Sequence, residues 1–325
     1  MITFLTVCTI RQLPQALALG ESLKRHHATE EFLIGLCDDE RQLPAGFQAP
    51  FPILFLTELS IPNQEVLSQQ YTPAEFVAAC KPLFIQYVYQ QRGQSDRVIY
   101  LDPSIYLYQP LHELTNRYAD ATLLLTPHLL KPLVDRAFPD EKYFQNIGLY
   151  SSGFLGLRRT PETARFLDWW SQRVPERAFA QPCDGMYTDQ IWLMLTPGLF
   201  EGVTIVKNPG WHLGIWNLHE RTLPEAAGPV FLNYKGLADQ EGDFQAQTRV
   251  RLSTYPVIKN LLRDYQNRVH SFNRAGLSTS LDAIAPAYGR QPFKPPLRGW
   301  RKKSVETVRQ TIEFIETVDI PRKMN

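Results

Sequence analysis

Four short apolar runs constrain this chain more than any other feature. They are Ile2–Val7, Phe32–Cys37, Val98–Leu101 and Ala121–Thr126. A run of that length suits a strand buried on both faces, especially where it is rich in β-branched and aromatic residues. Between the first two, Arg11–His27 carries Leu13, Leu17 and Leu23 with small Ala16, Ala18 and Gly20 at helical spacing. Strand, helix and strand in that order make a βαβ unit with a right-handed crossover, and the chain is expected to be α/β. Ile53–Thr57 reads as a third strand in the same series.

The run at Val98–Leu101 sits in RVIYLDPSIYLYQP and stops at Asp102-Pro103. Proline gives a sheet no donor, so Asp102 falls at the carboxyl end of its strand. The second strand closes the same way, at Asp38-Asp39. Ligands of open α/β sheets gather outside the carboxyl ends of the strands. A carboxylate there is placed to meet a metal, a sugar hydroxyl or a cation, although Asp-Pro also simply starts turns.

Further signals follow in order. Thr72-Pro73-Ala74-Glu75 forms a capping box that opens a helix, with Phe76, Cys80, Phe84, Tyr87 and Val88 on one face. Pro82 predicts a kink or restart at Lys81-Pro82, with Lys81 either solvated or turned towards the strand ends. Residues 131–147 read as a loop with short helical turns. In GLYSSGFLGL, Gly148, Gly153 and Gly156 mark places where a backbone, a packed helix or a ligand comes close. Thr160-Pro161-Glu162 starts a helix through Val174, whose Trp169-Trp170 reads as core. Asp189 opens the next helix, where the helix dipole favours a carboxylate, and it could equally project into the rim. Val203–Lys207 and Val230–Tyr234 are late strands. Between them PGWHLGIWNL is dense in aromatic and amide groups, which stack on and hydrogen-bond to sugars and bases.

After about Tyr255 the alternation stops. Ile258–His270 is a helix, 285–300 is rich in Pro and Gly, and 304–316 is an amphipathic helix. The expected organisation is one α/β domain over 1–254 and a C-terminal helical appendage over 255–325. Residues 291–325 hold eight Lys/Arg and four Asp/Glu, so +8 − 4 = +4 in a chain of net charge +1. That segment either packs on the domain or meets an anionic membrane surface, where each basic residue adds up to about 1 kcal/mol. The near-neutral whole gives no field for nucleic acid. Cys8, Cys37, Cys80 and Cys183 lie far apart, as reduced thiols of a cytoplasmic protein do. MITFLTVCTI has no basic residue before its apolar run and reads as a strand rather than a signal peptide.

The ordered set TVCTIRQLPQALALGESL, CDD, KPLFIQ, VIYLDPSIYLYQPL, NIGLYSSGFLGL, DQIW and NPGWHLGIWNL resembles bacterial GT-A glycosyltransferases of cell-surface polysaccharide clusters. The resemblance is colinear over about residues 1–240. It implies a nucleotide-binding Rossmann-like α/β domain with a mixed central sheet. It also implies a nucleotide-sugar donor, UDP-linked by preference, and a saccharide or glycolipid acceptor. Thr6, Cys8, Thr9 and Asp38 would cradle the nucleoside, and Lys81 would face the diphosphate. Asp102 and Ser104 fall on the family's DxD-like motif. Asn146, Ser152, Gly153 and Gln190 would line the sugar, with His212, Asn217 and Gly236 near the phosphates. Asp189 would act on the acceptor side, as general base if the anomeric configuration inverts or as a sugar-orienting group if it is retained. The resemblance favours retention.

Two departures bear on metal use. Ser104 stands where many relatives have an acid, and Asn233-Tyr234-Lys235-Gly236 stands where many have a histidine motif. Neutral oxygens are poorer ligands for Mg²⁺ or Mn²⁺, which leaves Asp102 as the candidate ligand. Lys235, with Lys81, would then supply the charge that a leaving diphosphate needs. The competing reading is a nucleotide-sugar-binding module that has lost turnover. A Rossmann dehydrogenase is disfavoured, because Thr6-Val7-Cys8-Thr9 stands where a G-x-G-x-x-G turn belongs.

Overall fold

The computed structural model describes residues 1–59, 61, 64–221, 228–237, 247, 249–273 and 277, with 304, 307, 308 and 310–312. The chain runs β1 (Ile2–Cys8), α1 (Leu13–His26), β2 (Glu31–Leu36), β3 (Ile53–Phe55), α2 (Gln64–Gln70), α3 (Pro73–Gln91), β4 (Arg97–Leu101) and β5 (Ile105–Leu107). It continues through β6 (Leu123–Pro127), α4 (Glu141–Ile147), β7 (Tyr150–Arg158), α5 (Pro161–Arg173), β8 (Ala180–Gln181) and β9 (Met186–Tyr187). It closes with α6 (Thr196–Leu199), β10 (Val203–Ile205), β11 (Phe231–Asn233) and α7 (Pro256–Phe272).

Seven strands form one mixed sheet in the order β10-β6-β7-β4-β1-β2-β3. All neighbours are parallel except β7, which lies antiparallel to both β4 and β6. Alternate side chains feed two cores. Leu5, Val7, Val98, Tyr100, Leu123 and Leu155 face α3 and α5. Phe4, Cys8, Ile99, Leu101, Leu124 and Phe154 face α1 and the antiparallel ribbon of β5 and β11. The apolar runs therefore contain no polar alternation because neither face of the sheet meets water.

Two expectations need correction. The restart expected at Pro82 does not occur: α3 is one helix from Pro73 to Gln91. Both halves of the Thr72/Glu75 capping box form, and Ala78 to Pro82, Phe84 and Ile85 are all buried. Packing on both sides of the proline outweighs its one missing hydrogen bond. The helix expected after Asp189 forms over Ile191–Leu195 as a 3-10 helix rather than an α-helix.

YSSGFLGL lies in strand β7, the third strand of the seven, between β6 and β4. A Cβ on Gly156 would stand 2.9 Å from the Leu124 side chain, so the glycine lets β6 approach. Contacts group residues Met1–Gln291 as one unit and Pro292–Asn325 as another. Ile258, Leu262 and Tyr265 of α7 are buried with Tyr106, Leu232 and Tyr234. Among the described residues no helix is long and apolar enough to cross a membrane. The Pro-rich stretch at 285–300 and most of the final amphipathic helix lie outside the described residues.

Candidate active site

The carboxyl ends of β1, β2 and β4 open on one rim of the sheet. Because β7 is antiparallel, its first residues reach the same rim, and the Asp102 N–H donates to the Gly153 carbonyl at 2.8 Å. The pairing of β6 with β7 shifts register between Leu125 and Thr126, so Thr126 opposes Ser151. Irregularities of this kind re-aim side chains beside functional sites.

Asp38 accepts from the Ile10 N–H at 2.5 Å, tying the end of β2 to the turn after β1. The Thr9 N–H donates to Gln12 at 3.2 Å. Cys8 is fully buried, and burial together with the charges of Asp38 and Asp102 raises its thiol well above the usual range. Cys8 is therefore an inert wall and not a nucleophile. Thr6 is buried, and its hydroxyl has no hydrogen-bond partner.

Lys81 projects from α3 into the sheet side of the rim. Its Nζ is 2.6 Å from Asp189 Oδ2 and donates to the Ser152 hydroxyl at 3.0 Å and to its carbonyl at 3.2 Å. It also lies 4.8 Å from the centre of the Tyr100 ring. Lys81 and Asp189 are 5% and 1% exposed, so this is a buried ion pair with every ammonium proton directed. Gln190 ties the same region, accepting from the Ser152 N–H and donating to the Ile147 carbonyl at 2.8 Å. Trp170 is core, as expected, and its indole N–H also donates to the Asp189 carbonyl. Thr188, just before this pair, has φ 47°.

A chain of polar groups crosses the other side of the rim. Asp102 Oδ1 accepts from the Ser104 N–H at 3.0 Å and from its hydroxyl at 2.5 Å. Asn233 Oδ1 lies 2.9 Å from the Ser104 hydroxyl and accepts from the Lys235 N–H at 2.9 Å. That backbone donor fixes the oxygen of the amide, so Asn233 Nδ2 faces His212 Nε2 at 3.2 Å. His212 then carries its proton on Nδ1 and donates to Thr126 Oγ1 at 2.7 Å. Burial, followed by the charges of His128 and Arg221, holds the His212 imidazole neutral, far below its usual pKa. His212 has φ 54°, and a Cβ on Gly153 would stand 3.0 Å from its Nε2. Strained backbone in non-glycine residues concentrates at functional sites, and both described examples border this rim.

Asn217 is fully buried and holds the loop rather than the rim. It accepts from the Gly214 N–H and donates to the carbonyls of His128 and His212. Asn146 is half-buried on α4, and Gly236 has φ 75° in the turn after β11. Burial first, and then the charges of Lys235 and Arg221, lower the His128 pKa to about 4. Sequence reasoning missed Thr126, His128 and the tyrosine face under Lys81. None of them stands in a recognisable motif, and each matters only through a partner distant in sequence.

The donor oxygens at Asp102 do not fit a resident divalent cation. Two of the three are neutral, and they hydrogen-bond to one another and to backbone N–H groups. Among the described residues no three His, Cys, Asp or Glu side chains gather to hold a metal.

No protein-family profile matches the sequence. The chain is 26% identical over 233 residues to the uncharacterized protein YfnF of Bacillus subtilis (strain 168), spanning 70% of this chain and 76% of that one. It is 22% identical over 212 residues to the uncharacterized YfnD of the same organism, spanning 64% and 66%. Among solved structures it is similar to the galactosyltransferase LgtC in complex with donor and acceptor sugar analogs, with 14% identity, 83% and 95% coverage and a TM-score of 0.45. It is also similar to the glycosyltransferase GlyE of Streptococcus pneumoniae TIGR4, with 13% identity, 85% and 65% coverage and a TM-score of 0.49.

Proposed function

We propose that this chain is a GT-A-type glycosyltransferase that moves a sugar from a nucleotide diphosphate, UDP by preference, to a saccharide or glycolipid hydroxyl. One observation carries the reading. Asp38, Asp102 and the Lys81–Asp189 pair stand along one rim of a mixed sheet, where its strands offer their ends to ligands. Residues 1–254 hold this rim, and 255–325 form the appendage. Its basic end meets the inner face of a membrane or an acidic acceptor.

In this reading Asp38 and the turn after β1 hold the nucleoside, and Asp102 holds the ribose or diphosphate end. Ser152, Gly153 and Gln190 shape the sugar pocket. Asp189 has one oxygen engaged by Lys81, which suits an orienting group better than a base that must reach an acceptor hydroxyl. The transfer is accordingly retaining. Lys235 lies beside the Asp102–Asn233 chain and supplies positive charge to the leaving diphosphate. Metal then stimulates weakly or not at all. The neutral oxygens of Ser104 and Asn233 also favour a second reading, a donor-binding module without turnover.

A thermal-shift screen with UDP- and GDP-sugars, each with Mn²⁺ or with chelator, tests the proposal, because a ligand of the native state raises apparent stability. Stabilisation by a UDP-sugar in chelator is expected. Activity that chelator abolishes and Mn²⁺ restores would refute metal independence. Binding without transfer to any acceptor would support the second reading.

A further inference from the structure

The β5–β11 ribbon has two faces. Ile105, Leu107 and Phe231 point into the core under the sheet, whereas Tyr106, Leu232 and Tyr234 point towards α7. On this second face a cleft of about 500 Å³ opens between the end of α1, the ribbon and α7. That volume lies within the range of small-ligand sites, roughly 300–1,000 Å³.

The lining is specific. Tyr106 and Tyr108 form one wall, with ring centres 5.3 Å apart. Tyr265 stands edge-on to Tyr106 and stacks on Tyr234 at 4.0 Å, and the hydroxyls of Tyr108 and Tyr234 are hydrogen-bonded to each other. The aromatic wall is therefore held before any ligand arrives. Opposite it, Asp264, Asn267, Arg268 and Ser271 fall at helical spacing on α7, so one exposed stripe of the helix presents four polar groups to the cleft. Arg25 completes the lining from α1. Glu21 bridges Arg25 and Arg268 at 3.2 and 3.3 Å. Asp264 is paired with Arg263, its neighbour on α7, at 3.9 Å, so each charged group lining the cleft already has an opposite charge beside it.

We infer that this cleft is a second carbohydrate site, which takes a neutral oligosaccharide. A hexose offers an apolar C–H face to a tyrosine wall and a ring of hydroxyls to carboxylate, amide and guanidinium forks. A mixture of donors and acceptors whose charges are already paired matches hydroxyls, each of which both donates and accepts. The inference does not depend on the donor reading of the Asp102 rim, since no residue of that rim lines the cleft.

Saturation-transfer NMR on the full chain with maltotriose, cellotriose and an α-1,6-mannotriose tests it. At least one probe should receive saturation, and saturating UDP should not displace it. Asp264→Ala and Asn267→Ala, both on the exposed stripe, should each weaken that binding about tenfold through loss of a directed hydrogen bond. The thermal shift with UDP-sugars should be unchanged in both variants. The inference is overturned if no probe receives saturation, if UDP displaces it, or if both variants bind as the parent does. A failed UDP shift in the parent would count against the transferase reading alone.

Discussion

The two halves of the rim are built on different principles. On the β1–β2 side the polar contacts are short in sequence or tie neighbouring strands: Thr9 bonds to Gln12, and Asp38 bonds to Ile10. On the β4–β7 side Lys81 reaches Asp189 across 108 residues, Ser104 reaches Asn233 across 129, and Thr126 reaches His212 across 86. Those groups are buried, so each depends on the next for its hydrogen bonds. The first half should tolerate change one residue at a time, and the second should respond as a unit.

The largest effect expected is at the ion pair. Lys81→Met leaves Asp189 buried without its cation and should cost about 3–5 kcal/mol of unfolding free energy. Adding Asp189→Leu should recover most of it. Denaturant unfolding measures both, and a double variant no better than the single one would break the coupled picture.

Acid should affect the same half. The folded pKa of His128 lies near 4, below the unfolded 6.5, so the unfolded chain takes up a proton first as the pH falls. Stability is therefore full above about pH 6.5 and declines towards pH 4, by up to about 3 kcal/mol from this group. His212 pushes in the same direction. A His128→Gln variant should flatten that decline, and an unchanged slope would contradict the assignment.

Much of the strand framework of the rim was legible in the sequence. The apolar runs marked β1, β2 and β4, and the acids that close them mark the rim, because a strand buried on both faces needs a continuous apolar run. Both halves of the capping box at Thr72 and Glu75 also formed as written. Strand β7 was hidden as a strand: its glycines were legible as places of close approach, but their partners Leu124 and His212 have no local signature. Lys81–Asp189 was equally hidden, since no spacing rule links residues on α3 to a turn after β9. At Pro82 the helix continues instead of restarting, because tertiary burial outweighs a local preference.

The smallest effect on stability should come from the first half. In Asp38→Asn an amide oxygen still accepts from Ile10, so the loss should stay within about 1 kcal/mol. A larger loss, comparable with that of Lys81→Met, would erase the difference between the halves.

Calorimetric titration of a UDP-sugar into the full chain in chelator, beside Asp102→Asn, tests the central claim most directly. Saturable binding is expected, weakened at least about tenfold in the variant by loss of a charged contact. No binding with or without Mn²⁺, or equal affinity in both proteins, would contradict a nucleotide-sugar site at this rim.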